Sequence, residues 1–514
     1  MLHFHTPAEA VAWLRGRVRG SLQVDSRAIQ PGDGFIAWPG AAVDGRQFVQ
    51  AALAQGAVAC LVEHQGSEAF GFANDAVASY TGLKASTGPI AAAYCEQPSE
   101  GLDVVAVTGT NGKTSTAWWL AQALSKTELY AKAPCAVVGT LGIGIPPDVL
   151  ATGLTTPDPV RLQQAFRGFV DLGLGACAIE ASSIGVVERR LDGTRIRVAV
   201  FTNFTQDHLD YHGSTDAYWQ AKAELFRWPG LQAAVVNVDD PQGAQLAASL
   251  TGMDVWTLSC NHSARLQAHN ICYEAGGLCF EVVEDGERHS LRTAVIGQYN
   301  VANLLGVIGA MRALGAPLDE AVQACHGLLP VPGRMDCINP PGQPLVAIDY
   351  AHTPDALDKA LLALQPLAQA RGGKLWCIFG CGGNRDAAKR PLMAAVAEKN
   401  ADLVLVTSDN PRREKPEHII SQILLGLSHN AGVHVQADRA LAIAEAIAQA
   451  APEDVLLLAG KGHETTQEVA DVKHAFSDKA HAEAALALRR DTQQLSLSGA
   501  VLPISVDKVG GAAP

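Results

Sequence analysis

Two glycines, a lysine and a threonine stand close together in Gly109-Thr110-Asn111-Gly112-Lys113-Thr114-Ser115, between an apolar run at 104–108 and a helix-like stretch at 116–124. Strand, Gly-rich turn and helix in that order suit a polyphosphate. The glycines let the backbone curl round the anion, and amides at the helix start point at it. Lys113 has the reach for terminal phosphate oxygens, and the Thr114 hydroxyl suits Mg2+. The usual loop has a glycine five positions before Gly112; this chain has Val107 there, so the loop is a contracted variant. A lone Gly-rich turn is most often only a turn, whereas Gly-x-x-Gly-Lys-Thr between strand and helix is far more often a nucleotide site.

Two more clusters follow. Gln206-Asp207-His208-Leu209-Asp210-Tyr211-His212 carries two histidines four apart, but no third zinc ligand stands out. Beside a phosphate loop Mg2+ is the better expectation; it prefers oxygen donors, so Glu180 and Thr114 suit it better than His208. Residues 214–226 read as a helix with Ser214 at its N-cap. There Lys222 has Tyr218, Trp219, Leu225 and Phe226 three or four positions away, all on its own face. A helix lysine usually snorkels its ammonium into water. One held among apolar side chains has a depressed pKa, and a neutral amine can take up carbon dioxide as an anionic carbamate.

Positioning these groups requires strands that end where they begin. Apolar runs at 104–108, 136–140, 176–180, 198–203 and 234–238 each lead into a polar turn and a helical pattern, which predicts a parallel sheet. A second series, at 345–350, 375–380, 403–407 and 455–459, starts after Pro330-Val331-Pro332-Gly333. Residues 1–97 read as a smaller α/β unit, with a helix over 8–15 and strands at 34–37 and 57–62. Residues 266–296 alternate and predict a small antiparallel ribbon, and a last helix is predicted over 479–490. The fold class is therefore α/β, with domains at 1–97, 98–330 and 331–495 and a loose tail at 496–514. Thr108, Glu180, Asn203, Asp349, Gly380, Asp409 and Gly460 all follow directly on apolar runs. Open parallel sheets bind ligands beyond the carboxyl ends of their strands.

Composition narrows the class of partner. Of 514 residues 48% are hydrophobic, enough for several cores. Lys and Arg number 39 against 52 Asp and Glu, a net charge of −13 without a basic tract, which argues against nucleic acid. Eleven cysteines without a CxxC pair suit reduced thiols in a cytoplasmic protein. A secretory pattern and a run of 18 apolar residues are both lacking, so no membrane span is expected.

Taken together, Gly109 to Thr114, Glu180-Ala181-Ser182-Ser183, His208 to His212, Tyr218-x-x-x-Lys222, Tyr299-Asn300-x-x-Asn303, Pro332-Gly333-Arg334 and Asp349-Tyr350-Ala351-His352 resemble the Mur ligases. These ATP-dependent enzymes add amino acids to the peptide of the peptidoglycan precursor. The resemblance runs from about Val24 to Glu464. It implies an N-terminal uridine-nucleotide domain, a central ATPase domain with a phosphate loop, and a Rossmann-like C-terminal domain. Asp25-Ser26-Arg27, Pro31-Gly32-Asp33 and Asp44-Gly45-Arg46 resemble the uridine-binding module of the branch that adds the third residue. Asp409-Asn410-Pro411-Arg412 resembles the signature of members that add meso-diaminopimelate rather than lysine.

By motif match Lys222 corresponds to the family's carbamylated lysine, which helps hold Mg2+ with Thr114, Glu180 and His208. Gly109, Thr110, Asn111, Gly112, Lys113, Thr114, Ser115, Asn300, Asn303, Arg334 and Asp349 match positions around ATP, with Lys113, Lys222, Glu180, His208, Arg334 and Asp349 in catalysis. Val24, Ser26, Ala41, Ala42, Val43, Thr155, Thr156, Ser182, Glu188 and Arg190 fall where the uridine-nucleotide dipeptide lies. Arg385, Asp409, Asn410, Pro411, Arg412, Gly460 and Glu464 fall around diaminopimelate, with Arg412 for its distal carboxylate and Glu464 for its ammonium. Many relatives have His where this chain has Ile184, and some have Gln where it has Glu188. The implied partners are the small-molecule substrates UDP-MurNAc-L-Ala-D-Glu, diaminopimelate and ATP, acted on by a monomer. A polyglutamate ligase of the folate type, and a non-catalytic nucleotide-binding protein, are the competing readings.

Overall fold

Residues 1–40, 43–274, 277–428 and 432–498 are described by the structure, a computed structural model. Ala41 and Ala42, two of the expected substrate residues, lie outside them, as does the expected tail from 499 onward. The chain divides into two compact units, Met1–Val331 and a second from Pro332.

The first unit holds two sheets. The smaller has strands β1 (Leu2–Phe4), β2 (Leu22–Gln23), β3 (Gly34–Ala37), β4 (Ala59–Glu63) and β5 (Val77–Tyr80), all parallel in the order β1-β5-β4-β3-β2. Strands β3 to β5 are buried throughout, as parallel strands covered on both faces must be. The first helix, Pro7–Arg17, is fixed by a capping box of Thr6 and Glu9.

The larger sheet has β6 (Asp103–Thr108), β7 (Cys135–Gly139), β8 (Gly142–Ile145), β9 (Asp148–Leu150), β10 (Ala176–Glu180), β11 (Val198–Phe201), β12 (Ala233–Asn237), β13 (Asp254–Ser259), β14 (Leu266–Glu274), β15 (Gly277–Glu284) and β16 (Glu287–Arg292). Their order is β16-β15-β14-β13-β12-β11-β6-β10-β7-β8-β9. The stretch from β14 to β7 is parallel, and antiparallel hairpins extend both edges. The ribbon expected at 266–296 is thus a continuation of the central sheet. Strand β6 lies between β10 and β11, so chain order reverses there, and the loop after β6 opens at the switch point of the sheet. Register sets Val107 beside Glu180 and Thr108 beside Phe201.

The second unit has β17 (Asp336–Ile338), β18 (Leu345–Asp349), β19 (Leu375–Phe379), β20 (Leu403–Val406), β21 (Val433–Val435) and β22 (Val455–Ala459) in the order β17-β18-β22-β19-β20-β21, parallel except at β17. A hairpin of β23 (Thr466–Val469) and β24 (Val472–Ala475) follows. The last helix spans Asp478–Ser498, so helix extends past the point where the tail was expected to begin.

Candidate active site

The loop after β6 is built for close approach. Its backbone has positive φ at Gly109 (145°) and Gly112 (86°). A Cβ on Gly109 would lie 1.9 Å from Thr202 Oγ1, and one on Gly112 would lie 2.4 Å from Asn303 Oδ1. The segment after β11 forms the loop's other wall. Asn203 accepts from the Asn111 amide at 2.9 Å and donates to its carbonyl at 3.0 Å, and Thr202 donates to the same carbonyl at 2.6 Å. Thr110 Oγ1 donates to the Thr205 carbonyl at 3.0 Å and accepts from Tyr218 OH at 3.2 Å. Helix Lys113–Leu124 starts without a side-chain cap, and the start of a helix is the end whose dipole suits an anion. Ser115 is buried in its first turn. Lys113 Nζ donates to the carbonyls of Gly109 and Thr110, both at 2.8 Å. Asn300 and Asn303 are buried in helix Tyr299–Leu314, and Asn303 Nδ2 donates to Asn300 Oδ1 at 2.8 Å.

Glu180 ends β10 at 2% exposure. Its carboxylate accepts from Thr114 Oγ1 at 2.9 Å, from the Thr140 amide at 2.7 Å and from Thr140 Oγ1 at 3.3 Å. A Cβ on Gly139 would come within 2.2 Å of Glu180 Oε1, so glycine makes the room. A buried carboxylate beside a hydroxyl at a helix start is an oxygen set that fits Mg2+, which keeps several of its waters. Among the described residues no three His, Cys, Asp or Glu are arranged to hold a metal by themselves. His208 sits at φ 52° on the turn before Leu209–His212, its Nε2 3.5 Å from Asp207 and its ring 6.1 Å from that of Tyr218.

Lys222 is 1% exposed in helix Thr215–Ala223, which Ser214 caps as expected. Its Nζ lies 4.3 Å from the Tyr218 ring centre and donates to the Gly109 carbonyl at 2.7 Å. Burial, then the charge of Lys113, hold its pKa well below that of an ordinary lysine, with Asp207 opposing.

The expected dipeptide residues form a second cluster in the same unit. Thr156 Oγ1 donates to the Glu180 carbonyl at 2.6 Å and lies 3.0 Å from Ser182 Oγ; Thr155 Oγ1 lies 3.0 Å from Thr140 Oγ1. Arg190 donates to the Thr156 carbonyl at 2.9 Å. Glu188, an odd neighbour for an anionic substrate, forms a 2.8 Å ion pair with Lys84 and accepts from Tyr211 OH. Burial pushes its pKa up, but the Lys84 and Tyr211 bonds hold it below the usual value. Lys84 went unnoticed in the sequence because a single helix lysine carries no signal. In the smaller sheet's loops, Ser26 opens a turn capped by Asp25, and Arg27 doubles back on Asp25. Asp44 and Arg46 repeat that clamp. Val24 is half-buried against the core, and Val43 is exposed.

In the second unit, Asp349 ends β18 and accepts from the amides of Met335 (2.7 Å) and Ala351 (2.8 Å). Burial raises its pKa against the pull of Arg334. The Arg334 guanidinium stands 4.4 Å from the Tyr350 ring centre, with the His463 ring 5.4 Å beyond Tyr350. Burial and Arg334 push the His463 pKa down to about 4.

The expected amino-acid residues meet on the loops after β20 and β22. Asn410 Nδ2 donates to Glu464 Oε2 at 2.8 Å. Lys461, wholly buried, donates to Glu464 Oε2 at 2.8 Å, Thr466 O at 2.7 Å and Asn410 Oδ1 at 3.1 Å. Asp409 Oδ1 lies 3.9 Å from the same ammonium, and Gly460 (φ 115°) leaves room for the Asp409 carboxylate. Burial, outweighing Arg439 and Lys461, raises the Asp409 pKa. Arg412 (φ 51°) donates to the Gly383 carbonyl at 2.8 Å and lies 3.5 Å from Glu468. Its turn is anchored by Arg390, 1% exposed, which pairs in two-pronged fashion with Glu414 at 2.9 Å and holds that carboxyl down at about 2. Pro411 is buried against Gly383, and Arg385 is exposed nearby. Lys461 and Arg390 were missed. Lys461 stands one residue beyond Gly460, which itself follows directly on the apolar run at 455–459.

Comparison with known proteins shows what the chain is similar to. The Mur ligase catalytic domain matches residues 20–87, the Mur ligase middle domain 107–311, and the glutamate ligase domain of Mur ligases 333–462. The chain is 63% identical to the UDP-N-acetylmuramoyl-L-alanyl-D-glutamate–2,6-diaminopimelate ligase of an Acidovorax species, over 94% of this chain and 98% of that one. It is 45% identical to the enzyme of the same name from a Janthinobacterium species, over 94% and 97%. A solved ligase of that name matches at 35% identity and a TM-score of 0.63, covering 91% of this chain and 95% of its own. A folylpolyglutamate synthase from Mycobacterium tuberculosis shares the fold at 19% identity and a TM-score of 0.58, over 73% of this chain. The chain belongs to the Mur ligase family.

Proposed function

We propose that this Mur ligase joins meso-2,6-diaminopimelate to UDP-N-acetylmuramoyl-L-alanyl-D-glutamate, converting ATP to ADP and phosphate. The observation that carries the choice of amino acid is the pair of loops after β20 and β22. Arg412 stands on the loop after β20, its guanidinium on the Gly383 carbonyl, and Glu464, paired with the buried Lys461, stands on the loop after β22. Opposite charges on neighbouring loops match the carboxylate and ammonium at the far end of diaminopimelate. The identity to ligases of that name over nearly the whole chain supports the same reading.

In the proposed reaction the side-chain carboxylate of D-glutamate attacks the γ-phosphorus of ATP, and the bond to the bridging oxygen of ADP breaks. The diaminopimelate amine then attacks the acyl carbon of the resulting acyl phosphate, gives up a proton, and expels phosphate. Amides at the start of helix Lys113–Leu124 and the Lys113 ammonium neutralise charge on the moving phosphoryl group. Thr114 and Glu180, with His208 and a Lys222 carbamate, would hold Mg2+, which when bound would supply further charge stabilisation. The neutral amine favoured at Lys222 is the form that takes up carbon dioxide. Asn300, Asn303, Arg334 and Asp349 bind ATP. Val24, Ser26, Ala41, Ala42, Val43, Thr155, Thr156, Ser182, Glu188 and Arg190 bind the uridine-nucleotide dipeptide. Arg385, Asp409, Asn410, Pro411, Arg412, Gly460 and Glu464 bind diaminopimelate. The work divides among domains at 1–97, 98–330 and 331–495, in a cytoplasmic monomer. Phosphate release tests the reading: it should require the dipeptide nucleotide and diaminopimelate together. Release driven by a folate and glutamate instead would overturn it.

A further inference from the structure

Cys272 in β14 and Cys279 in β15 are register partners across an antiparallel pair. Directly opposed residues project from the same face, with Cα atoms about 4.5–5.5 Å apart. A disulfide spans Cα atoms about 4.4–6.8 Å apart, so the separation of such a pair is within a bridge's reach; the register irregularity of these two strands lies before the pair, between His269 and Cys272. The face is the outer one: Leu278 and Phe280, on either side of Cys279, point into the core. Both residues are thiols in the structure, Cys272 exposed and Cys279 half-buried. Six of the other cysteines, Cys60, Cys135, Cys177, Cys325, Cys377 and Cys381, are buried. Burial pushes the thiols of the remaining three up, to about 11 for Cys95 and about 12 for Cys260 and Cys337. Access and pairing therefore coincide at Cys272 and Cys279.

We propose that Cys272 and Cys279 form a reversible cross-strand disulfide, a redox-modification site on the outer face of the ribbon. The oxidant is a small-molecule disulfide of the glutathione class. The Cys272 sulfur, as thiolate, attacks one sulfur of the external disulfide and breaks its S–S bond; one external thiolate leaves and takes up a proton. The Cys279 thiol then loses its proton and attacks the Cys272 sulfur, expelling the second external thiol. Two protein thiols are oxidised, and one external disulfide becomes two thiols.

The test exposes the full-length protein to oxidised glutathione, blocks remaining thiols with iodoacetamide, and maps peptides by mass. The expected product is an internal Cys272–Cys279 link, two hydrogens lighter and reversed by dithiothreitol. Cys272→Ser should abolish it, and Cys279→Ser should leave Cys272 trapped as a glutathione adduct. Both variants lie on the outer face, and circular dichroism checks that they fold. A glutathione adduct persisting on Cys272 in the wild type, or full alkylation of both residues after oxidation, would overturn the proposal.

Discussion

Lys113 and Lys222 donate to one carbonyl, that of Gly109, from two different helices. Two ammonium groups converging on one acceptor repel, and Lys222 is the one shut off from water. Its neutral form gives the carbamate its opening, so Lys222→Ala should nearly abolish ligation while acetate or formate restores part of it. Full activity in the alanine variant, measured by product formation, would end that role. Lys461 is a different buried lysine, solvated by Asn410, Glu464 and the Thr466 carbonyl. Lys461→Met removes the donor that orients two proposed ligand groups, so KM for diaminopimelate should rise at least tenfold while KM for ATP changes little; equal rises in both would show a merely structural role. His463 gives a pH signature. Its pKa falls from 6.5 unfolded to about 4 folded. The folded state therefore disfavours the proton, and the stability this contributes is complete above pH 6.5 and lost as pH falls toward 4. His463→Gln should flatten the fall of Tm between those limits relative to wild type, and parallel curves would contradict it. Lys222 was legible because the helical period alone gathers Tyr218, Trp219, Leu225 and Phe226 around it. Lys461 was not: between two glycines it reads as an exposed turn, and its Thr466 partner opens a hairpin too short and too exposed to show a period.

At the scale of elements, the phosphate loop closes because its glycines leave room for Thr202 and Asn303. Gly112 has φ 86°, and its missing Cβ is where Asn303 stands. Gly112→Ala therefore combines left-handed strain of about 1–2 kcal/mol with a contact that Asn303 must yield to. Nucleotide-dependent turnover should fall by at least a hundredfold and Tm by a few degrees; a Gly112→Ala enzyme with normal KM for ATP would show that the loop does not cradle the nucleotide. The strands that carry the site were readable, since each is a short apolar run with a polar end. Strand β21 and the β23–β24 hairpin were not, because their residues are half-buried or exposed. Nor could periodicity show that the ribbon at 266–296 continues the central sheet, a pairing set by contact between β13 and β14.

At the scale of the whole molecule, the account rests on substrate choice. Lysine lacks the distal carboxylate proposed for Arg412, but Glu468 and the Gly383 carbonyl already stand beside the guanidinium. Accepting lysine therefore leaves less uncompensated charge than it would beside a bare arginine, and discrimination should fall short of the roughly 10⁴ reached where a site's polar groups are wholly abandoned. Arg412→Ala should still lower kcat/KM for diaminopimelate strongly, since losing one partner of a charge-assisted pair costs about 2–5 kcal/mol. The most direct measurement is competition: the purified chain with ATP, UDP-N-acetylmuramoyl-L-alanyl-D-glutamate and equal diaminopimelate and L-lysine, the products separated by mass. The diaminopimelate tripeptide should dominate by at least a hundredfold, and lysine product at a comparable rate would contradict the proposed substrate choice.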